Sequence, residues 1–112
     1  MSRARAWWRA LALGVAALGV GSAAATGKAP EAKVEIKHFA FTPEALTVTA
    51  GTRVVWTNRD DEPHIVVSAG NRFASSKAMD TDETYAMVFD KPGTYAYFCS
   101  IHPHMVGTII VR

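Results

Sequence analysis

The amino-acid sequence predicts an all-β fold, a β-sandwich of many short strands. Two observations carry this reading. From Ala32 onward apolar and polar residues alternate with a period of two, as they do in strands with one buried face. Gly- and Pro-rich turn signals interrupt the alternation at roughly ten-residue spacing, and outside the N-terminal segment no stretch carries a helical stripe. Strands in succession, without intervening helices, stack as two packed sheets.

The elements follow in chain order. Val34 and Ile36 alternate with Lys33, Glu35 and Lys37, and Leu46 and Val48 with Thr47 and Thr49. After a turn at Ala50-Gly51, Val54 and Trp56 alternate with Arg53, Val55 and Thr57. Trp56 is a core residue on this reading. Asn58 to Pro63 reads as a polar loop and Ile65 to Val67 as a further strand. Gly70 to Asp82 has no sustained period and reads as irregular. Tyr85, Met87 and Phe89 share one strand face. Asp90-Lys91-Pro92-Gly93 is a turn signal. Tyr95 and Tyr97 lead along one face to Cys99, and Thr108 to Val111 forms the last strand.

The N-terminal segment stands apart. Arg3, Arg5 and Arg9 form a positive region, Ala10 to Val20 an apolar one, and Ala23-Ala24-Ala25 a small-residue cleavage site. Residues 1–25 therefore read as a secretory signal peptide, with 26–31 as a flexible lead-in and 32–112 as the folded domain. No cysteine near the cleavage site indicates a lipid anchor, and no adjacent arginine pair is present. Export in unfolded form, with metal loading afterwards, is the simpler expectation. The mature chain is expected in the periplasm as a monomer without stable membrane insertion. The whole chain carries twelve basic and ten acidic residues. Losing Arg3, Arg5 and Arg9 leaves nine basic side chains against ten acidic, a net charge of −1. No basic patch interleaved with aromatics appears, which argues against a nucleic-acid partner.

Chemistry is concentrated in Cys99-Ser100-Ile101-His102-Pro103-His104-Met105. Cys99 is the only cysteine of the chain, so it has no internal disulfide partner, and in an oxidising compartment metal ligation explains it. Cys99, His102 and Met105 recur at three-residue intervals. Thiolate, imidazole and thioether are the ligands that suit copper. Two imidazoles and a thiolate with a weak axial methionine make a blue-copper electron-transfer site. His64 is the candidate second imidazole. Taken singly, Cys99 is a small buried hydrophobe and the histidines are loop residues.

On these residues the chain resembles the cupredoxins of the plastocyanin and amicyanin group. The resemblance runs from about Val34 to Arg112 and is carried by Phe41-Thr42-Pro43, Val54-Val55-Trp56-Thr57-Asn58, Pro63-His64, Pro92-Gly93-Thr94-Tyr95 and Tyr97-Phe98-Cys99 with His102 and Met105. The short Cys-x-x-His-x-x-Met loop is most like amicyanin. The resemblance implies a Greek-key sandwich of about eight strands, with one type 1 copper ion near one end. It implies His64, Cys99, His102 and Met105 as ligands. It also implies a mobile one-electron carrier, not an enzyme, which passes electrons through the exposed edge of His102. Ile101, Pro103 and Pro43 would then form an apolar patch for transient redox protein partners of cytochrome or dehydrogenase type. A copper-handling protein is the alternative; a methionine- or histidine-rich tract would favour it, and the sequence has none.

The remaining candidates take quieter roles. His104 is expected to face solvent and His38 to lie on an edge strand, while Met79 and Met87 pack. Asp60, Asp61 and Glu62 read as a solvated loop. The chain departs from the family at two places. Ile65 stands where asparagine commonly follows the first histidine ligand, leaving Ser100 without that side-chain partner. Ile101 stands where proline is frequent. Both isoleucines bring a backbone N–H, and both N–H groups are expected to point at the Cys99 sulfur.

Overall fold

The computed structural model describes residues 29–112. The export signal expected in residues 1–25 lies outside the described residues. The strands are β1 (Glu31–Lys37), β2 (Ala40–Thr42), β3 (Ala45–Val48), β4 (Thr52–Asn58), β5 (Val67–Ser68), β6 (Thr84–Phe89), β7 (Gly93–Phe98) and β8 (Val106–Val111). They form two four-stranded sheets, ordered β2-β1-β4-β6 and β3-β8-β7-β5. Both sheets are mixed. β1 runs parallel to β4 and β3 parallel to β8, and the other neighbours are antiparallel. The fold expected from the alternation is the one observed, an all-β sandwich.

The period of two explains the core. Thr52, Val54, Trp56 and Asn58 are the buried positions of β4, each separated by a more exposed residue. Val34 and Ile36 from β1 and Tyr95 and Tyr97 from β7 obey the same rule and join one buried cluster with Ile109 and Val111. Trp56 is fully buried. Its ring meets Tyr97 edge-on at 5.4 Å and stacks on Phe73 at 6.1 Å. Phe73 and Met79 come from the irregular segment after Gly70, which thus has no period but does cover the core. Met87 packs against the same cluster, as expected.

Tyr97 fits because its cross-strand partner is Gly107. A Cβ on Gly107 would run into the phenol ring of Tyr97, so the absence of a side chain lets the ring lie across β8. The Tyr97 hydroxyl is buried without a hydrogen-bond partner among the described residues. Burial pushes its pKa up to about 12.

Several boundaries differ from those expected from the sequence: Ala40–Thr42 is an additional short strand, β4 takes in Asn58, and β7 begins at Gly93. β1 begins at Glu31, inside the stretch read as lead-in, because Arg53 N–H extends the β4 pairing to Pro30 O at 2.8 Å. The strand expected at Ile65 to Val67 is only Val67–Ser68. His64 instead bridges Met79 in isolation, and Val66 N–H is taken by the Ser76 hydroxyl at 2.8 Å. The last strand begins at Val106, two residues earlier than read.

Candidate metal centre

Four loops meet at one end of the sandwich. The loop after β7 is wound tightly by its own backbone. His102 N–H donates to Cys99 O at 3.2 Å, Met105 N–H to His102 O at 2.9 Å, and Cys99 N–H to Met105 O at 3.0 Å. The three-residue spacing is therefore a structural repeat of the loop, which brings Cys99 and His102 to one point and buries Met105. Cys99 and Met105 are buried, whereas the His102 side chain is 31% exposed.

His64 reaches the same point from the loop after β4. Its backbone is fixed on both sides by the Met79 bridge, at 3.2 and 2.8 Å. The Nδ1 atoms of His64 and His102 lie 3.8 and 3.9 Å from Cys99 Sγ, and the donor atoms of the three residues all lie within 4.8 Å of one another. A first-row ion with metal–sulfur and metal–nitrogen distances of about 2.3 and 2.0 Å at trigonal angles would separate its S and N ligands by roughly 3.7 Å. The three donors are spaced for one ion, and their softness matches copper.

The family profile for the cupredoxin-like domain matches residues 10–111. The chain belongs to the cupredoxin family. It is 34% identical to amicyanin-alpha of Methylorubrum extorquens, over 98% of this chain and 99% of that protein. It is also 34% identical to the amicyanin of Paracoccus versutus, over 80% of this chain and 71% of that one. The crystal structure of that P. versutus amicyanin superposes with a TM-score of 0.68 at 31% identity, covering 79% of this chain and 87% of the other. A purple cupredoxin from Nitrosopumilus maritimus is similar to the same degree, with a TM-score of 0.68 at 30% identity over 72% of this chain and 99% of that one.

Around the donors this cupredoxin holds residues that the sequence did not single out. The first is Asp60. Its side chain is only 11% exposed, so Asp60 is not the solvated loop acid that the sequence suggests. Oδ2 lies 2.8 Å from His64 Nε2 and accepts Phe39 N–H at 3.0 Å, while Oδ1 accepts His38 N–H at 2.7 Å. Burial works to raise the Asp60 pKa, but the hydrogen bonds from Phe39, His64 and His38 outweigh it and hold the carboxyl below its ordinary value. Asn58 bends the loop that delivers Asp60. Its amide donates to Glu62 O at 2.8 Å and Met79 O at 2.9 Å, and its Oδ1 accepts Asp60 N–H at 2.9 Å. An asparagine in phase with Val54 and Trp56, on the face that β4 buries, was the available signal.

The second is Phe39. The pairing of Lys37 with Ala40 leaves His38 and Phe39 as a two-residue hairpin loop, and both have positive φ, 53° and 57°. His38 is thus a turn residue, not an edge-strand one. A primed turn requires this backbone and favours Asn or Gly, so His and Phe adopt it at a cost. The two Asp60 hydrogen bonds offset that cost. They aim the Phe39 ring edge-on at both imidazoles, with centroids 5.5 Å from His64 and 5.0 Å from His102.

The two sulfur hydrogen bonds expected from the isoleucines fare differently. Ile65 N–H donates to Cys99 Sγ at 3.4 Å. Ile101 makes no such bond among the described residues, because the tight Cys99–His102 turn uses the carbonyl of Cys99 and leaves Ile101 facing outward, half exposed. No hydrogen bond joins Ser100 to Ile65 among the described residues, as expected for an apolar side chain there. His104 is exposed, also as expected.

Proposed function

We propose that this cupredoxin is an exported one-electron carrier that holds a single type 1 copper ion through His64 Nδ1, Cys99 Sγ, His102 Nδ1 and the thioether of Met105. The observation that carries the reading is the spacing of the two Nδ1 atoms about one buried thiolate sulfur, 3.8 and 3.9 Å. When bound there, copper supplies a reversible Cu(II)/Cu(I) couple. The chain's part is to keep the donors still. His64 is pinned by a backbone bridge and Cys99, His102 and Met105 by one hydrogen-bonded loop, so neither oxidation state requires the ligands to move.

Four protein donors leave no open position for a substrate, in contrast to catalytic metal sites. This supports a carrier in preference to an enzyme. Electrons would pass through the exposed edge of His102. Phe39, Ile101 and Val106, each 47% exposed, lie beside that edge or next to a ligand in sequence, with Pro103 exposed between them. An apolar surface of this kind fits a short-lived contact with a redox protein. The positive and apolar runs of residues 1–25, closed by three alanines, support delivery to the periplasm.

The experiment is a titration of Cu(II) into the purified chain lacking residues 1–25. The chain should bind one copper, and His64→Ala should bind it far more weakly. Equal affinity in that variant would remove His64 from the ligand set.

A further inference from the structure

Among the described residues, the Asp60 carboxylate is the acidic group within hydrogen-bond distance of a histidine of the metal centre, without a place in the ligand set. It touches His64 at the nitrogen that faces away from Cys99. A carboxylate receiving N–H groups from His38 and Phe39 is an acceptor only, so the proton between it and His64 belongs to Nε2. In a neutral imidazole the other nitrogen, Nδ1, then carries the lone pair. That is the nitrogen 3.8 Å from the sulfur. The carboxylate thus selects the tautomer in which His64 can bind a metal at all.

The same contact has an electronic consequence. A hydrogen bond from Nε2 to an anion pushes electron density into the ring and makes Nδ1 a stronger donor. A stronger donor and a nearby negative charge both favour the more positive ion, Cu(II) over Cu(I). His102 does not receive the same treatment. Its Nε2 is 3.8 Å from Glu62 Oε2, beyond hydrogen-bond reach, and that carboxylate is 58% exposed. The two imidazoles of the centre are therefore unlike.

We propose that Asp60 is a positioning residue of the metal centre: it fixes the metal-binding tautomer of His64 and holds the reduction potential down. The proposal rests on the copper reading above, but its first half concerns the protein alone. The strained His38-Phe39 turn supports it. Two residues that seldom adopt positive φ do so where their N–H groups complete the coordination of this carboxylate.

The test has a metal-free arm and a copper arm. In the metal-free protein, 15N-resolved NMR of the histidine side chains should find His64 protonated at Nε2, with that proton lost to fast exchange in Asp60→Ala. In the copper protein, Asp60→Asn should keep its colour and lower the Cu(II)-to-Cu(I) affinity ratio about tenfold, which raises the potential by about 59 mV for a one-electron couple. Asp60→Glu, which retains the charge, should recover most of this shift. Asp61→Asn, which removes a neighbouring exposed charge, should shift the potential far less. An Nδ1–H tautomer in the metal-free protein would overturn the proposal even if no Asp60 variant folds. So would an unchanged potential in a blue Asp60→Asn protein. Failure to take up copper with an Nε2–H tautomer in place would count against the copper reading and leave the tautomer assignment standing.

Discussion

Ile65 N–H donates to Cys99 Sγ across 34 residues of chain, at 3.4 Å. The bond joins the loop that carries His64 to the loop that carries Cys99, His102 and Met105. A hydrogen bond to the thiolate withdraws charge from it and favours Cu(I). Asp60 acts on His64 in the opposite sense, so two contacts on adjoining residues of one loop pull the potential in opposite directions.

Ile65→Pro removes the N–H while keeping an apolar side chain. A bond worth about 0.5–1.5 kcal/mol corresponds to roughly 20–60 mV for one electron. Voltammetry should show the potential falling by that amount with the visible colour retained. Ile101→Pro should leave the potential in place, since Ile101 N–H does not reach the sulfur among the described contacts.

Phe39 is the exposed ring that touches both histidines. If electrons leave at His102 through an apolar contact, replacing Phe39 should slow exchange between molecules without altering the site. Phe39→Ser should lower the electron self-exchange rate, measured by NMR line broadening in mixtures of the two oxidation states, by about tenfold, the effect of losing one central apolar contact. An unchanged rate would move the exit elsewhere.

Tyr97 predicts the behaviour of the fold in alkali. Its folded pKa is raised by burial from 10.0 to about 12. Above pH 10 the unfolded chain releases this proton while the folded one retains it, so stability present below that pH is lost as the pH rises toward 12. The slope is about 1.4 kcal/mol per pH unit from this one group. Tyr97→Phe should flatten that loss in denaturant titrations between pH 10 and 12. It should also be neutral or stabilising at pH 7, because it removes a buried hydroxyl without a partner.

The processing of the chain follows from its first residues. N-terminal sequencing of protein recovered from the periplasm should begin near Thr26. Recovery of Met1 or Ser2 in a membrane fraction would favour an anchored carrier.

The alternation of Val34, Ile36, Val54 and Trp56 with polar neighbours made the sandwich legible, because a strand's side-chain period is a local property. The meeting of His64, Cys99 and His102 was legible through chemistry, since a thiol, imidazole and thioether in seven residues have few other uses. Asp60 was not. In the run Asp60-Asp61-Glu62 three acids look alike, and which one turns inward depends on contacts distant in sequence, from His38 and Phe39, together with the buried amide of Asn58. Phe39 was hidden because its role depends on a turn conformation that its residue type disfavours. The Ile101 expectation failed for a related reason. Which N–H reaches the sulfur is set by how tightly the Cys99–His102 turn closes, and that closure is not written in the identity of residue 101.

Copper binding at this centre turns on a copper–thiolate bond at Cys99, flanked by two imidazoles. The most direct test is the visible spectrum of the purified mature chain after addition of Cu(II), recorded beside Cys99→Ala. The parent should show an intense charge-transfer band that the variant lacks. A colourless parent protein with copper bound, or a band that persists without Cys99, would contradict it.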